Sequence, residues 1–356
     1  MGLSLRLCPR LASICLYLST NEKVFMISSK KNDHIDYLKA LAAMLVVFHH
    51  AIEYSGLERR SDIWALIVML VDSLHVPLFF SIAGYLCHKQ DKGRYIKKKI
   101  SRILFPFFTF SLLKLIYSTV ISSRFSHASS LLMQFYDAFV LGRLYWFPYA
   151  IFLCYCLAML FWTEKNAIIS GAQRARLCIA FSILVIVNML FGLEDVNCLS
   201  WFQIGNALSY FCFFLAGMIF RQFESRILPV YKKHSAAVSG VCIAIIAAVS
   251  WLLGKEHLPY GFRTRFILAF ALIPLFCSMA SKLPVGLTIL NTVGKYSLQV
   301  MFFDSFYKIV LFGLLRQIVT YRPALVMICV VLNIACTCVS CLVIKKIPVL
   351  RRMFGL

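Results

Sequence analysis

Acidic side chains are scarce in this sequence: 15 Asp and Glu stand among 356 residues, against 37 Lys and Arg. Charge of either sign reaches only 15%, while 61% of the chain is apolar and the mean hydropathy is +0.80. A soluble globular domain is about one quarter charged and roughly half apolar, so that class is excluded. Sustained alternation of polar and apolar residues is also missing, which excludes a transmembrane barrel. No internal repeat stands out, and that argues against the transporter folds built from repeated halves. The predicted outer loops are short, the longest being the stretch 122–142, which argues against a lipid-linked glycan polymerase or similar glycosyltransferase.

Cysteine is not lacking, but a framework for it is. Nearly all of the 14 cysteines fall inside apolar runs, among them Cys87, Cys154, Cys156, Cys212, Cys242 and Cys336. There they behave as small apolar residues. Cys198 lies in a predicted loop with no evident partner. Neither a zinc site nor a disulfide set is expected, and no metal or bound cofactor is assigned.

What the sequence does have is long apolar runs, many near the ~20 residues that cross a bilayer core. Each must satisfy its own backbone there, so helices are expected. The fold class is all-α, a polytopic membrane bundle of about ten helices. The spans fall at Ile35–Tyr54, Trp64–Cys87, Ile103–Ile121, Tyr145–Trp162, Leu177–Leu193, Ile204–Phe220, Ser235–Leu253, Phe266–Met279, Tyr296–Leu315 and Ala324–Ile344. Ser130–Gly142 is apolar but short, and reads as re-entrant or interfacial. Residues 34–356 form one transmembrane domain. Residues 1–33 read as a dispensable extension with a natural start at Met26, the alternative being an interfacial helix: Leu11–Leu18 is too short to span and no small-residue cleavage site follows it.

The net charge of +22 does not point to nucleic acid, because the basic residues are spread over short loops between apolar runs. With the N-terminus inside, 25 of the 37 Lys and Arg fall on the cytoplasmic side, 9 outside and 3 within spans. Both termini are therefore expected in the cytoplasm.

Ionisable residues inside spans are costly, so each is a functional candidate. The first span carries Asp36, Lys39, His49, His50 and Glu53. Lys39 and His50 lie about 20° from the same helix face and roughly 16 Å apart in rise. A cation near the inner end and an imidazole in the outer half thus share one stripe, along which an extended acyl carrier fits. His50 suits a general base, since imidazole titrates near neutral pH. Glu53, at i+3, is placed to orient it; His49 is rotated about 100° away. A histidine bonded to a neighbouring carbonyl is the plain alternative. Asp72 and His75, one turn apart in the second span, either meet His50 or form a structural pair. Pro77 is expected to kink that helix. Lys99 and Arg102, at i and i+3, suit phosphate binding. Asp304 and Lys308, at i and i+4, read as an internal ion pair.

These residues bring a family into view. Ile35-Asp-Tyr-Leu-Lys39 through His50 resembles the opening helix of the acyltransferase-3 family of integral membrane acyltransferases, in which a basic residue is followed by ten residues and a histidine. His75-Val-Pro-Leu-Phe-Phe-Ser-Ile-Ala-Gly-Tyr-Leu86 resembles the family's second block, and Lys99-x-x-Arg102 its Arg-x-x-Arg. Tyr145-Trp-Phe-Pro-Tyr-Ala150 resembles its middle block. Phe213–Gly217, Val293–Leu298 and the closing 346–355 resemble later ones. The resemblance runs from about residue 34 to the end. It implies transfer of an acyl group, acetyl above all, from cytoplasmic acyl-CoA to a hydroxyl of a surface glycan such as O-antigen, capsule or exopolysaccharide, or to a lipid-linked glycan. Acetyl-CoA would be a co-substrate. Membrane lipids would be the other partners, with no nucleic acid, and the implied setting is the bacterial inner membrane. His50 would be catalytic, with Glu53 or Asp72 beside it; Lys39, Lys99 and Arg102 would face the donor. His75 and Trp146 would serve the acceptor or support the base. Lysine at 39 and 99 departs from the usual arginine and gives up bidentate phosphate geometry. Ala83 replaces a serine, and Asp304 stands where a histidine is frequent.

Overall fold

The computed structural model describes residues 33–88, 90–121, 131–161, 170–254 and 260–356. The N-terminal extension and the expected start at Met26 fall outside them, apart from Asp33. The described chain is a helical bundle. Its elements are α1 (Asp33–Ser55), α2 (Asp62–Leu86), α3 (Lys92–Lys99), α4 (Phe105–Ile121), α5 (Leu131–Phe135), α6 (Trp146–Ala158), α7 (Gly171–Phe191), α8 (Ile204–Lys233), α9 (Ser235–Gly254), α10 (Phe262–Lys282), α11 (Thr288–Lys295), α12 (Ser297–Leu315), α13 (Arg322–Ile344) and α14 (Pro348–Met353). Nine helical segments among the described residues are long and apolar enough to cross a membrane, counting Lys92–Tyr117 as one. A tenth apolar helix, Trp146–Phe161, is shorter. Each of the ten predicted spans thus falls on an apolar helix, nine of them long enough to cross and the fourth, Trp146–Phe161, shorter, and the chain is an integral membrane protein.

The differences lie at span ends. The basic residues before Ile103 are not a loop. They form α3, begun by Asp91, whose side chain accepts from the Arg94 amide at 2.8 Å, and a π turn at Ile100–Leu104 joins it to α4. Helix α8 likewise runs on to Lys233, past the apolar run. Hydropathy marks where lipid begins, not where backbone hydrogen bonding ends. Helix α2 is continuous through Pro77 to Leu86. The 130–142 stretch forms α5 and a π turn at Tyr136–Val140, too short to cross.

Helices α2 and α8 form the centre. Their backbones touch where glycines face each other: a Cβ on Gly84 would stand 1.8 Å from the Phe214 carbonyl oxygen, and one on Gly217 2.0 Å from that of Ser81. Small residues at such crossings let membrane helices pack closely. Around them lie the buried Phe80, Tyr210, Phe213 and Phe214. Helices α7 and α9 present Ile179, Ile183, Ile186, Val241 and Ile243 outward, as lipid contact requires. The twelve described cysteines are free thiols, and Cys338 and Cys341 make a C-x-x-C spacing inside α13.

At one end of the bundle, α1 begins beside α11: the Tyr37 hydroxyl donates to the Pro284 carbonyl and accepts from the Leu287 amide, both at 2.8 Å. The C-terminal segment closes the same end. The Gln299 side-chain amide donates to the Phe354 and Gly355 carbonyls, and a Cβ on Gly355 would meet Pro106 and the Arg102 carbonyl.

Candidate active site

Toward the other end, α1 presents His50 to α12. His50 Nδ1 is 2.7 Å from Asp304 Oδ2. The second Asp304 oxygen accepts from Asn333 Nδ2 of α13 at 2.9 Å, and Lys308 Nζ lies 3.7 Å from Oδ2. Asp304 is buried, its side chain 2% exposed, whereas that of His50 is 38% exposed. A buried carboxylate needs such partners to stay ionised. An ionised carboxylate only accepts, so Nδ1 carries the proton and Nε2 keeps its lone pair. Nε2 makes no hydrogen bond among the described residues. The carboxylate-held imidazole with one free nitrogen is the working part of the serine hydrolase triad.

Glu53 makes no hydrogen bond or ion pair with His50 among the described residues. It lies 3.7 Å from His49 Nε2, one full turn earlier, and is half exposed. His49 packs its ring between His50 and His75, at 5.5 and 5.4 Å between centroids. His49, His50 and Glu53 each bring one ligand atom within 4.8 Å of the others, although His50 is already held by Asp304. His75 is buried and its Nδ1 bonds the Val71 carbonyl of its own helix at 2.6 Å.

Asp72 also turns elsewhere. It accepts from the Tyr260 hydroxyl at 2.6 Å and lies 3.4 Å from Arg265 Nε, near enough to pair as ions. Arg265 Nη1 donates to Glu194 at 2.8 Å and to the Tyr210 hydroxyl at 3.0 Å. Burial pushes the Glu194 carboxyl up from its ordinary value, against the pull of Arg265. Trp146 rests on Tyr210, 5.3 Å between centroids. This second polar cluster ties α2, α8 and α10 to the segment 193–195.

On the donor side the predicted residues are dispersed. Lys39 pairs with Asp36 at 2.5 Å. Lys99 turns inward, its ammonium 3.3 Å above the Tyr155 ring centroid. Arg102 is exposed. A π turn, Ile100–Leu104, begins directly after Lys99 and contains Arg102; the two side chains differ in exposure, Lys99 being half-buried and Arg102 exposed.

In the sequence Asp304 reads as a partner of Lys308 alone, and nothing there points to Asn333, Tyr260, Arg265 or Glu194. The one available signal for Asp304 was a carboxylate deep in an apolar span, a cost that demands a partner.

The bundle and its carboxylate-held histidine fit an integral membrane enzyme working by proton transfer. The family model described as an acyltransferase domain, acyltransferase-3, matches residues 32–343, and the chain belongs to that family. It is a membrane acyltransferase. No curated protein and no solved structure gave a match.

Proposed function

We propose that the protein moves an acetyl group from cytoplasmic acetyl-CoA to a hydroxyl of a surface glycan, or of its lipid-linked precursor, at a bacterial inner membrane. The observation that carries this reading is the 2.7 Å contact between His50 and the buried Asp304. His50 Nε2 takes the proton of the acceptor hydroxyl as its oxygen attacks the thioester carbonyl. Asp304 fixes the tautomer and steadies the imidazolium. The intermediate collapses with release of the thiolate, which takes the proton back from His50. The acyl group passes directly, with no enzyme nucleophile needed.

Lys39, toward the donor end of the same helix stripe, would meet the donor, with Lys99 and Arg102 as further cations for its phosphates. Using Lys99 requires drawing it off Tyr155. Trp146 and the Asp72–Arg265–Glu194 cluster would serve the acceptor. His75, bonded to its own helix, supports His49 behind the base.

The test is to incubate membranes with acetyl-labelled acetyl-CoA and the host's surface glycan, beside His50→Ala at equal abundance. Label on the glycan that is absent from the variant supports both the reaction and the base. Label in both removes His50 from the mechanism. Label in neither, with other acyl-CoA donors also tried, defeats the assignment of donor and acceptor.

A further inference from the structure

Efficient acyl transfer needs positive charge or hydrogen-bond donors where the carbonyl oxygen becomes an oxyanion. Lys114 of α4 is the candidate. Of the three lysines predicted within spans, Lys39 pairs with Asp36 and Lys308 with Asp304. Lys114 has no carboxylate partner among the described residues; its ammonium lies 5.0 Å from the centroid of the Tyr145 ring. A cation inside the bilayer held by a ring face alone is costly to keep.

Tyr145 fixes where this charge sits. Its hydroxyl is hydrogen-bonded to Ser305 and donates to the Phe302 carbonyl at 3.3 Å, both on α12. Ser305 follows Asp304, which holds His50. Lys114 is within electrostatic reach of both Asp304 and Lys308. Two ammonium groups against one carboxylate leave this flank of the base positive while His50 is neutral. Lys308 lies 3.7 Å from Asp304, whereas Lys114 makes no such contact and feels Asp304 only at longer range.

We propose that Lys114 stabilises the oxyanion of the tetrahedral intermediate, a role that rests on His50 being the base. The acceptor oxygen forms its bond to the carbonyl carbon as its proton passes to His50 Nε2. The carbonyl π pair moves onto oxygen, opposite the Lys114 ammonium. The carbonyl then re-forms, the C–S bond breaks, and the thiolate takes the proton from His50. Lys114 gives up no proton and returns unchanged.

Steady-state kinetics with acetyl-labelled acetyl-CoA and the host glycan test this on the membrane-reconstituted full chain. Lys114→Met should lower kcat by about 10²- to 10³-fold, the usual effect of losing one oxyanion donor, with donor KM little changed. Its thermal midpoint should hold or rise, because an apolar chain replaces a buried unpaired charge. Lys114→Arg should recover part of the loss. A Lys114→Met or Lys114→Gln enzyme at normal abundance with kcat near wild type overturns the proposal. So does failure of both to accumulate while Lys114→Arg does, which makes Lys114 a structural cation. His50→Ala run alongside separates the two readings: if it is inactive while Lys114→Met is active, only the oxyanion assignment falls. If His50→Ala is active, the base reading falls and this proposal with it.

Discussion

Asp304 has three partners, and each constrains the others. It accepts from Asn333, offsets Lys308 and holds His50. Asn in its place keeps the size but presents an amide that can donate to Nδ1, favouring the tautomer whose Nε2 carries the proton. Asp304→Asn should therefore lower kcat on the order of 10²- to 10⁴-fold, the upper figure being that of the corresponding change in a serine protease. Kinetics must be normalised to folded protein, because the change also leaves Lys308 without its carboxylate. Glu53→Gln is the contrasting case. Glu53 is half exposed and faces His49, so kcat should stay within a few-fold of wild type. A large loss for Glu53→Gln with little for Asp304→Asn would reverse the two assignments. Both carboxylates were visible as residues in the sequence, but only one partner choice was. His50 and Glu53 are close in the chain, so helix geometry suggests them. His50 and Asp304 are 254 positions apart, and no periodicity within one span reports which helices become neighbours.

Helices α2 and α8 are held together by shape. Between α2 and α8 the glycines do what side chains do elsewhere, by being absent. A Cβ at Gly84 would stand 1.8 Å from a backbone oxygen, and no rotamer can relieve that. Gly84→Ala should separate the helices, at a cost of about 1–3 kcal/mol or more, read as a lower thermal midpoint in detergent and lower abundance in membranes. Gly240 in α9 has nothing within 4 Å of its added Cβ. Gly240→Ala should hold or raise the midpoint, since alanine is the better helix former by about 1 kcal/mol. Equal midpoints for the two variants would mean that the α2–α8 contact does not limit stability. The spans themselves were legible because length and apolarity are local properties. Their ends were not: Lys97, Lys98 and Lys99 read as loop residues, yet they continue a helix into a π turn, with Lys99 over the Tyr155 ring and Arg102 exposed. A π turn depends on how α4 seats against its neighbours, and leaves no mark in composition.

At the scale of the whole molecule, the two chemical ends need different compartments. The α1 start, α11, the C-terminal segment and the π turn with Arg102 gather at one end. His50, Glu194 and Arg265 belong toward the other. Coenzyme A thioesters are made and kept in the cytoplasm, so the donor reading requires the Lys39 and Arg102 end to face inward. The distribution of Lys and Arg predicts the same orientation, and it does so without reference to chemistry. A reporter active only outside the cytoplasm, inserted after Arg60 between α1 and α2, should be active; inserted after Gln90, between α2 and α3, it should be silent. The reverse pattern would put Lys39, Lys99 and Arg102 where no acyl-CoA is found. The His50–Asp304 pair would survive that result as a base, but the donor would have to be another acyl carrier, one that reaches the enzyme from outside.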